Sequence, residues 1–277
     1  RYEERESALE IARQSDLVIA MLGEDCEWMG EGASRTTLDL PGVQPDLLRD
    51  LVATGKPVAL VLATGRPLVL TWANAHVAAI LQTFHAGTEG RTAIAEILFG
   101  EVSPSAKTTM SFPRSVGQLP LSYDVLPTGR PQKIRQRYES IYLDEANEPL
   151  FPFGFGLSFT RFAYANLSLS QSRAGRADTV SVSVDVKNIG ERAGQEIVEL
   201  YVRQPVASRS RPIRQLKGFA KVSLAPGETR RVSIPLPAAS LGFHDETGRY
   251  AVEPGRFDIY VGGSLAADLT AALEVSP

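Results

Sequence analysis

Four carboxylates, Glu24, Asp25, Glu27 and Glu31, follow directly on an apolar run that stops at Gly23. Carboxylic acids donate and withdraw protons near neutral pH once their surroundings tune them. In an open α/β sheet, ligands bind beyond the carboxyl ends of the strands, and this loop leaves such an end. Glu31 stands apart because Gly30 and Gly32 flank it, and glycine backbones reach conformations closed to other residues. Trp28 and Met29 come just before it and Arg35 four residues after. An apolar wall there would keep the acid protonated, as a proton donor requires. A solvated acidic loop is the simpler account of composition alone. Glu24 and Asp25 abut the strand and read as caps of the next turn. The residues by themselves do not separate Glu31 from Glu27.

Other chemistries find little support. No glycine-rich phosphate loop follows a strand, and no GxSxG elbow is present. His76, His85 and His244 lack metal-ligand spacing. His85, in QTFHAGTEG, suits either a pocket wall at a strand end or a structural role. Cys26 lies among carboxylates, which disfavour a thiolate, so it reads as incidental. With one cysteine no intrachain disulfide forms. Neither a cofactor nor a metal is expected.

The elements that must position the loop are legible in order. Residues 3–15 carry Ala8, Leu9, Ile11 and Ala12 at helical spacing, with Glu early and Arg13 late. LVIAML is a short continuous apolar run, the mark of a strand buried on both faces. Val43–Thr54 reads as a helix closed by Gly55, and 57–63 as a second strand. Residues 67–71 read as a third strand and 77–84 as a fourth. Thr88 reads as the N-cap of a helix over 89–99, and 107–112 as a last strand. Strands alternating with helices mean an α/β sandwich with a mostly parallel sheet.

Periodicity stops between Pro113 and Thr160, where prolines and aromatics dominate. So many aromatics argue for an ordered segment, a clamp between domains, rather than disorder. From Phe162 the pattern has period two, as in TVSVSVDV, with turn signals between runs. About seven short strands of this kind predict an immunoglobulin-like β-sandwich. The expected division is 1–120, 121–161 and 162–277. Arg209, Arg211 and Arg214 in SRSRPIRQ read as an interdomain contact or solvated face rather than a binding patch.

Composition narrows the partners. The first 163 residues hold 15 basic and 20 acidic side chains, the remainder 14 and 12. Neither part offers the basic face that nucleic acid needs. No apolar run is long enough to span a membrane as a helix. The chain starts at Arg1, inside a helical pattern, and reads as part of a longer polypeptide.

A set of long motifs then appears in order: SDLVIAMLGE, GEGASRTTLDLP, TGKPVALVLATGRPL, AGTEGRTAIAEILFGEVSPSAKTTMSFPRSVGQLP, DEANEPLFPFGFGLSFT and RPIRQLKGFAKVSLAPGET. With them the chain resembles the C-terminal portion of glycoside hydrolase family 3 β-glucosidases, closest to the bacterial periplasmic type. The resemblance implies an α/β sandwich carrying a catalytic acid/base, followed by a fibronectin III-like domain. It also implies an N-terminal TIM-type barrel bearing an Asp nucleophile, in the same polypeptide or a companion chain. By position in GEGASR, Glu31 matches the family's acid/base, with Glu27 its rival; the paired glycines depart from the bulkier neighbour expected on one side. Trp28 and Met29 are then candidate walls of a substrate site. The implied activity is retaining hydrolysis of a terminal β-glucoside or cello-oligosaccharide, in the periplasm or outside the cell, with this chain inactive alone. A competing class of reading is a non-catalytic carbohydrate-binding module; another family 3 specificity, such as β-xylosidase, is also open.

Overall fold

A computed structural model describes residues 4–28, 30–130 and 138–277. The chain divides into two compact units. The first comprises residues 1–99, 112–121 and 145–151, and the second 100–111, 122–144 and 152–277.

The first unit is an α/β layer arrangement. Helix α1 (Arg5–Gln14) leads to strand β1 (Val18–Gly23), helix α2 (Gln44–Ala53), strand β2 (Val58–Ala63), helix α3 (Thr71–His76), strand β3 (Ala79–Gln82) and helix α4 (Gly90–Leu98). The sheet order is β1-β2-β3, parallel throughout. β2 lies in the centre, and Leu60, Val61 and Leu62 are buried on both its faces, which is why this run shows no alternation. Leu9, Ala12, Leu48, Leu51, Leu68 and Leu70 build the core around it.

Three local expectations are corrected. Residues 67–70 join no sheet, although Leu68 and Leu70 are buried; Val69 N–H donates to Leu38 O at 2.8 Å. Pro67 has no N–H to give a ladder, and the chain turns at once into α3. Residues 107–112 form no strand either. Their backbone bonds go to single neighbours: Gly154 N–H to Thr108 O and Thr108 N–H to Phe155 O in the second unit. Phe112 and Phe151 form an isolated bridge in the first. Thr88 is not the cap of α4; a turn from Gly87 O to Gly90 N–H moves the cap position to Glu89, which makes no side-chain capping bond.

The second unit is all-β. Strands β4 (Phe162–Leu169), β5 (Arg173–Ala174), β6 (Thr179–Asn188), β7 (Gly194–Arg203), β8 (Gln215–Leu224) and β9 (Thr229–Pro237) come first. They are followed by β10 (Phe243–His244), β11 (Tyr250–Ala251), β12 (Gly255–Gly262) and β13 (Leu269–Val275). One sheet runs β4-β6-β9 and the other β5-β13-β12-β7-β8, with β10-β11 a separate hairpin. Every second residue of β6 (Val180, Val182, Val184, Val186) points into a core shared with Val198, Leu200, Phe257 and Ile259. The chain is thus an α/β domain followed by a β-sandwich.

Tyr123 stacks on Phe153 at 4.2 Å between ring centres, and Lys107 pairs with the buried Glu196 at 3.2 Å. Segments outside the strands are thereby tied to the β-sandwich.

Asn188, fully buried where β6 ends, ties the turn together. Its carboxamide accepts from Thr160 Oγ1 and Gly190 N–H and donates to the carbonyls of Arg192 and Leu224. Asn188→Ala strands those groups without partners and should cost about 3 kcal/mol in urea unfolding. A change within about 0.5 kcal/mol would show that the network contributes nothing.

Candidate active site

The loop after β1 is fixed at its root. Gly23 has φ +151°, and a Cβ there would stand 2.0 Å from Ala63 O, so only glycine fits. Gln44, the first residue of α2, holds Gly23 by two bonds of 2.8 Å, one to its N–H and one to its carbonyl. Glu24 N–H continues the sheet by donating to Ala63 O at 2.9 Å.

Glu24 then turns inward. Its carboxylate is inaccessible to solvent. Oε1 receives Arg35 Nη1 at 2.8 Å and Arg66 Nε at 3.1 Å, and Oε2 accepts Gly65 N–H at 3.1 Å. A buried carboxylate is tolerable only when paired and hydrogen-bonded, and this one is both. The two arginines carry the restraint outward. Arg35 Nη2 donates to Asp39 O at 2.7 Å, and its guanidinium lies 4.9 Å from the centre of the Trp28 ring. Arg66 Nη2 donates to Trp28 O at 2.8 Å. The acidic loop is therefore held at both ends, at residue 28 and at residue 35, by one carboxylate.

Between those anchors Ala33 N–H donates to Gly30 O at 3.2 Å, closing a turn around Glu31. Asp25 Oδ1 accepts Glu27 N–H at 2.9 Å and shapes the short turn Cys26–Trp28. Gly30 (φ +108°) and Gly32 (φ +80°) both occupy backbone conformations that disfavour side chains. Glu31, at the crest between them, is exposed, and so is Glu27. Met29 lies outside the described residues. Trp28 is 38% exposed and faces Arg35, and the rest of the apolar wall anticipated around Glu31 lies outside the described residues. Nor does Arg35 serve Glu31; its partner is Glu24.

The rims of the neighbouring strands meet the loop here. His85 follows Phe84, whose φ of +51° is rare for a residue with a side chain, and the imidazole packs over Gly65. The carboxyl ends of β1, β2 and β3 thus bring together the loops that carry Glu24, Gly65-Arg66 and His85. Sequence reasoning read Glu24 as a turn cap. Its principal role rests on Arg66, far along the chain and without a recognisable spacing, so no local signal was available. Among the described residues no three His, Cys, Asp or Glu side chains gather as metal ligands.

Comparison with known proteins gives this arrangement a family. Residues 2–159 match the glycosyl hydrolase family 3 C-terminal domain, and residues 196–265 match a fibronectin type III-like domain. The chain belongs to glycosyl hydrolase family 3. It is 46% identical over 259 residues to a periplasmic beta-glucosidase of Salmonella typhimurium, covering 93% of this chain and 34% of that protein. It is 41% identical over 265 residues to a beta-xylosidase of Formosa agariphila, covering 94% of this chain and 35% of that protein. The crystal structure of a beta-glucosidase from Listeria innocua in complex with glucose superposes with a TM-score of 0.95. That match has 36% identity and takes in 100% of this chain and 39% of the other. The chain therefore spans about a third of the length of these family 3 relatives.

Glu24→Gln keeps the shape of the side chain and removes its charge, leaving Arg35 and Arg66 without a counter-ion. Both tryptophans, Trp28 and Trp72, lie in the first unit, so their emission reports its unfolding. The substitution should lower that unit's stability by about 3 kcal/mol, the low end of the range for a broken buried pair, because Arg66 reaches water. Proteolysis within 25–34 should quicken in step. An unchanged denaturant midpoint would show that the ion triad is not what holds the loop.

Proposed function

We propose that this chain supplies the general acid/base of a retaining β-glucosidase, that Glu31 is that residue, and that the nucleophilic Asp lies in polypeptide outside these residues. The observation that carries the reading is the loop itself. It leaves the carboxyl end of β1 in a family 3 α/β domain, it is braced on both sides by Glu24, and it carries one exposed carboxylic acid at its crest between two glycines. Glu27, the rival, sits inside the short turn with its backbone tied to Asp25.

In the proposed reaction the Asp attacks the anomeric carbon of a terminal β-glucosyl residue. Glu31 protonates the departing glycosidic oxygen, then withdraws a proton from the water that releases the sugar. The attacking water enters where the leaving oxygen departed, so one carboxyl held in one place on a braced loop serves both steps. The barrel that bears the nucleophile is the partner, and it would also supply most sugar contacts and whatever walls off Glu31 from water. In this reading Trp28 and Met29, close before Glu31 in sequence, are the candidate walls of the substrate site. The name of the Salmonella relative supports a periplasmic or secreted setting. A second specificity is favoured by one observation, the beta-xylosidase relative of nearly equal similarity.

The test uses the polypeptide extended to the length of its relatives. Glu31→Ala should cut hydrolysis of a nitrophenyl β-glucoside by about a hundredfold or more. Azide should restore turnover and give a β-glycosyl azide, whereas Glu27→Ala should leave the rate nearly untouched. An undiminished rate in Glu31→Ala, or azide rescue of Glu27→Ala instead, would overturn the assignment. Comparing the nitrophenyl β-xyloside decides between the two sugars.

A further inference from the structure

Among the described residues, two neighbouring cations in the β-sandwich form no ion pair. Arg211 is held by a bond from Nη2 to Leu241 O at 3.1 Å and by the ring of Phe243, 4.4 Å from its guanidinium carbon. Its Nε and Nη1 are buried and have no partner. Lys217, on β8, lines the same small void, and burial together with the charge of Arg211 pushes its ammonium below the usual lysine range. Among the described residues neither cation forms an ion pair with a carboxylate. Glu253 is near enough to be felt by Arg211, but its oxygens are engaged by the N–H and hydroxyl of Ser208. Gln204 completes the void. It is only 5% exposed, and both atoms of its carboxamide are buried without partners.

Two desolvated cations side by side, with an unsatisfied amide between β7 and β8, carry a cost that native proteins seldom leave unmet. A bound anion removes it. The inner void is about 10 Å³, room for one oxygen atom. Gln204 and Arg211 also line an open pocket of about 330 Å³ next to it, to which Arg203 and Arg209 contribute. Arg209 is already paired with Glu246, while Arg203 has no ion pair among the described residues.

We propose that this is a carboxylate-binding site. One carboxylate oxygen enters between Arg211, Lys217 and the Gln204 amide, and the rest of the anion occupies the outer pocket beside Arg203. The SRSRPIRQ stretch is then a binding element at Arg211 rather than a solvated face. The carboxylate comes either from a small free acid or from an Asp or Glu side chain of polypeptide outside these residues; both present the same group. The site is independent of the hydrolytic reading, since none of its residues belongs to the first unit.

Calorimetric titration of the 277-residue chain with sodium malonate, at constant ionic strength, tests the proposal. We expect one saturable site. Affinity should fall at least tenfold in Arg211→Gln and in Lys217→Met, the loss of one charge-assisted contact. It should stay unchanged in Lys221→Met, an exposed lysine on the same strand. Should Arg211→Gln fail to fold, Lys217→Met decides, because it removes a partly buried unpaired charge and should melt no lower than the parent. Absence of malonate binding, or equal affinity in the parent and in Lys217→Met, would overturn the site. Repeating the titration on the polypeptide extended to its relatives' length separates the sources: binding retained there supports a free acid, and binding lost there supports an internal side chain.

Discussion

The carboxylate of Glu24 is the interaction on which the rest of the site depends. It lies at the carboxyl end of β1, shut off from water, and it joins the β1–α2 loop to the β2–α3 loop through Arg35, Arg66 and the N–H of Gly65. Burying a charge in this way gains little net stability, because desolvation consumes most of the Coulombic attraction. What it supplies is position. Arg35 and Arg66 each bond onward to backbone carbonyls, so the loop is anchored at residues 28 and 35 with Glu31 exposed between them. Gly23 and Gln44 make this possible by letting β1 end against Ala63 at a distance no side chain would tolerate.

Much of the architecture was legible in the sequence, because it follows from local periodicity. The unbroken apolar run of β2 is buried on both faces and β6 alternates strictly, as read; β1, read in the same way as β2, is instead an edge strand whose Ile19 and Met21 are exposed, because no further strand pairs with it among the described residues. Failures arose where local pattern and tertiary context disagree. Residues 67–70 have the composition of a strand, but Pro67 and the immediate start of α3 deny them a ladder. Residues 107–112 spend their hydrogen bonds on single neighbours. Thr88 is a good capping residue whose position was taken by a turn at Gly87.

The chemistry was legible in part. Family motifs pointed to Glu31, and the glycines around it do take the unusual backbone angles their type suggested. The partners of the acidic loop were not legible. Arg35 was set beside Glu31 because it lies four residues on in sequence; in the fold it turns to Glu24. The link from Glu24 to Arg66 depends on the parallel pairing of β1 with β2, and the proximity of Arg211 to Lys217 depends on packing around β8 and the β10–β11 hairpin. Neither has a sequence signature.

The account stands on the claim that a braced loop presents Glu31 to a nucleophile outside this chain. The most direct measurement is a crystal structure of the polypeptide extended to the length of its relatives, with a monosaccharide bound. The account predicts the Glu31 carboxyl about 5–5.5 Å from the Asp carboxyl of the barrel, as retaining glycosidases require, with Glu24 still paired to Arg35 and Arg66. Glu27 in that place, or Glu31 turned away from the sugar while the Glu24 pairing is intact, would contradict it.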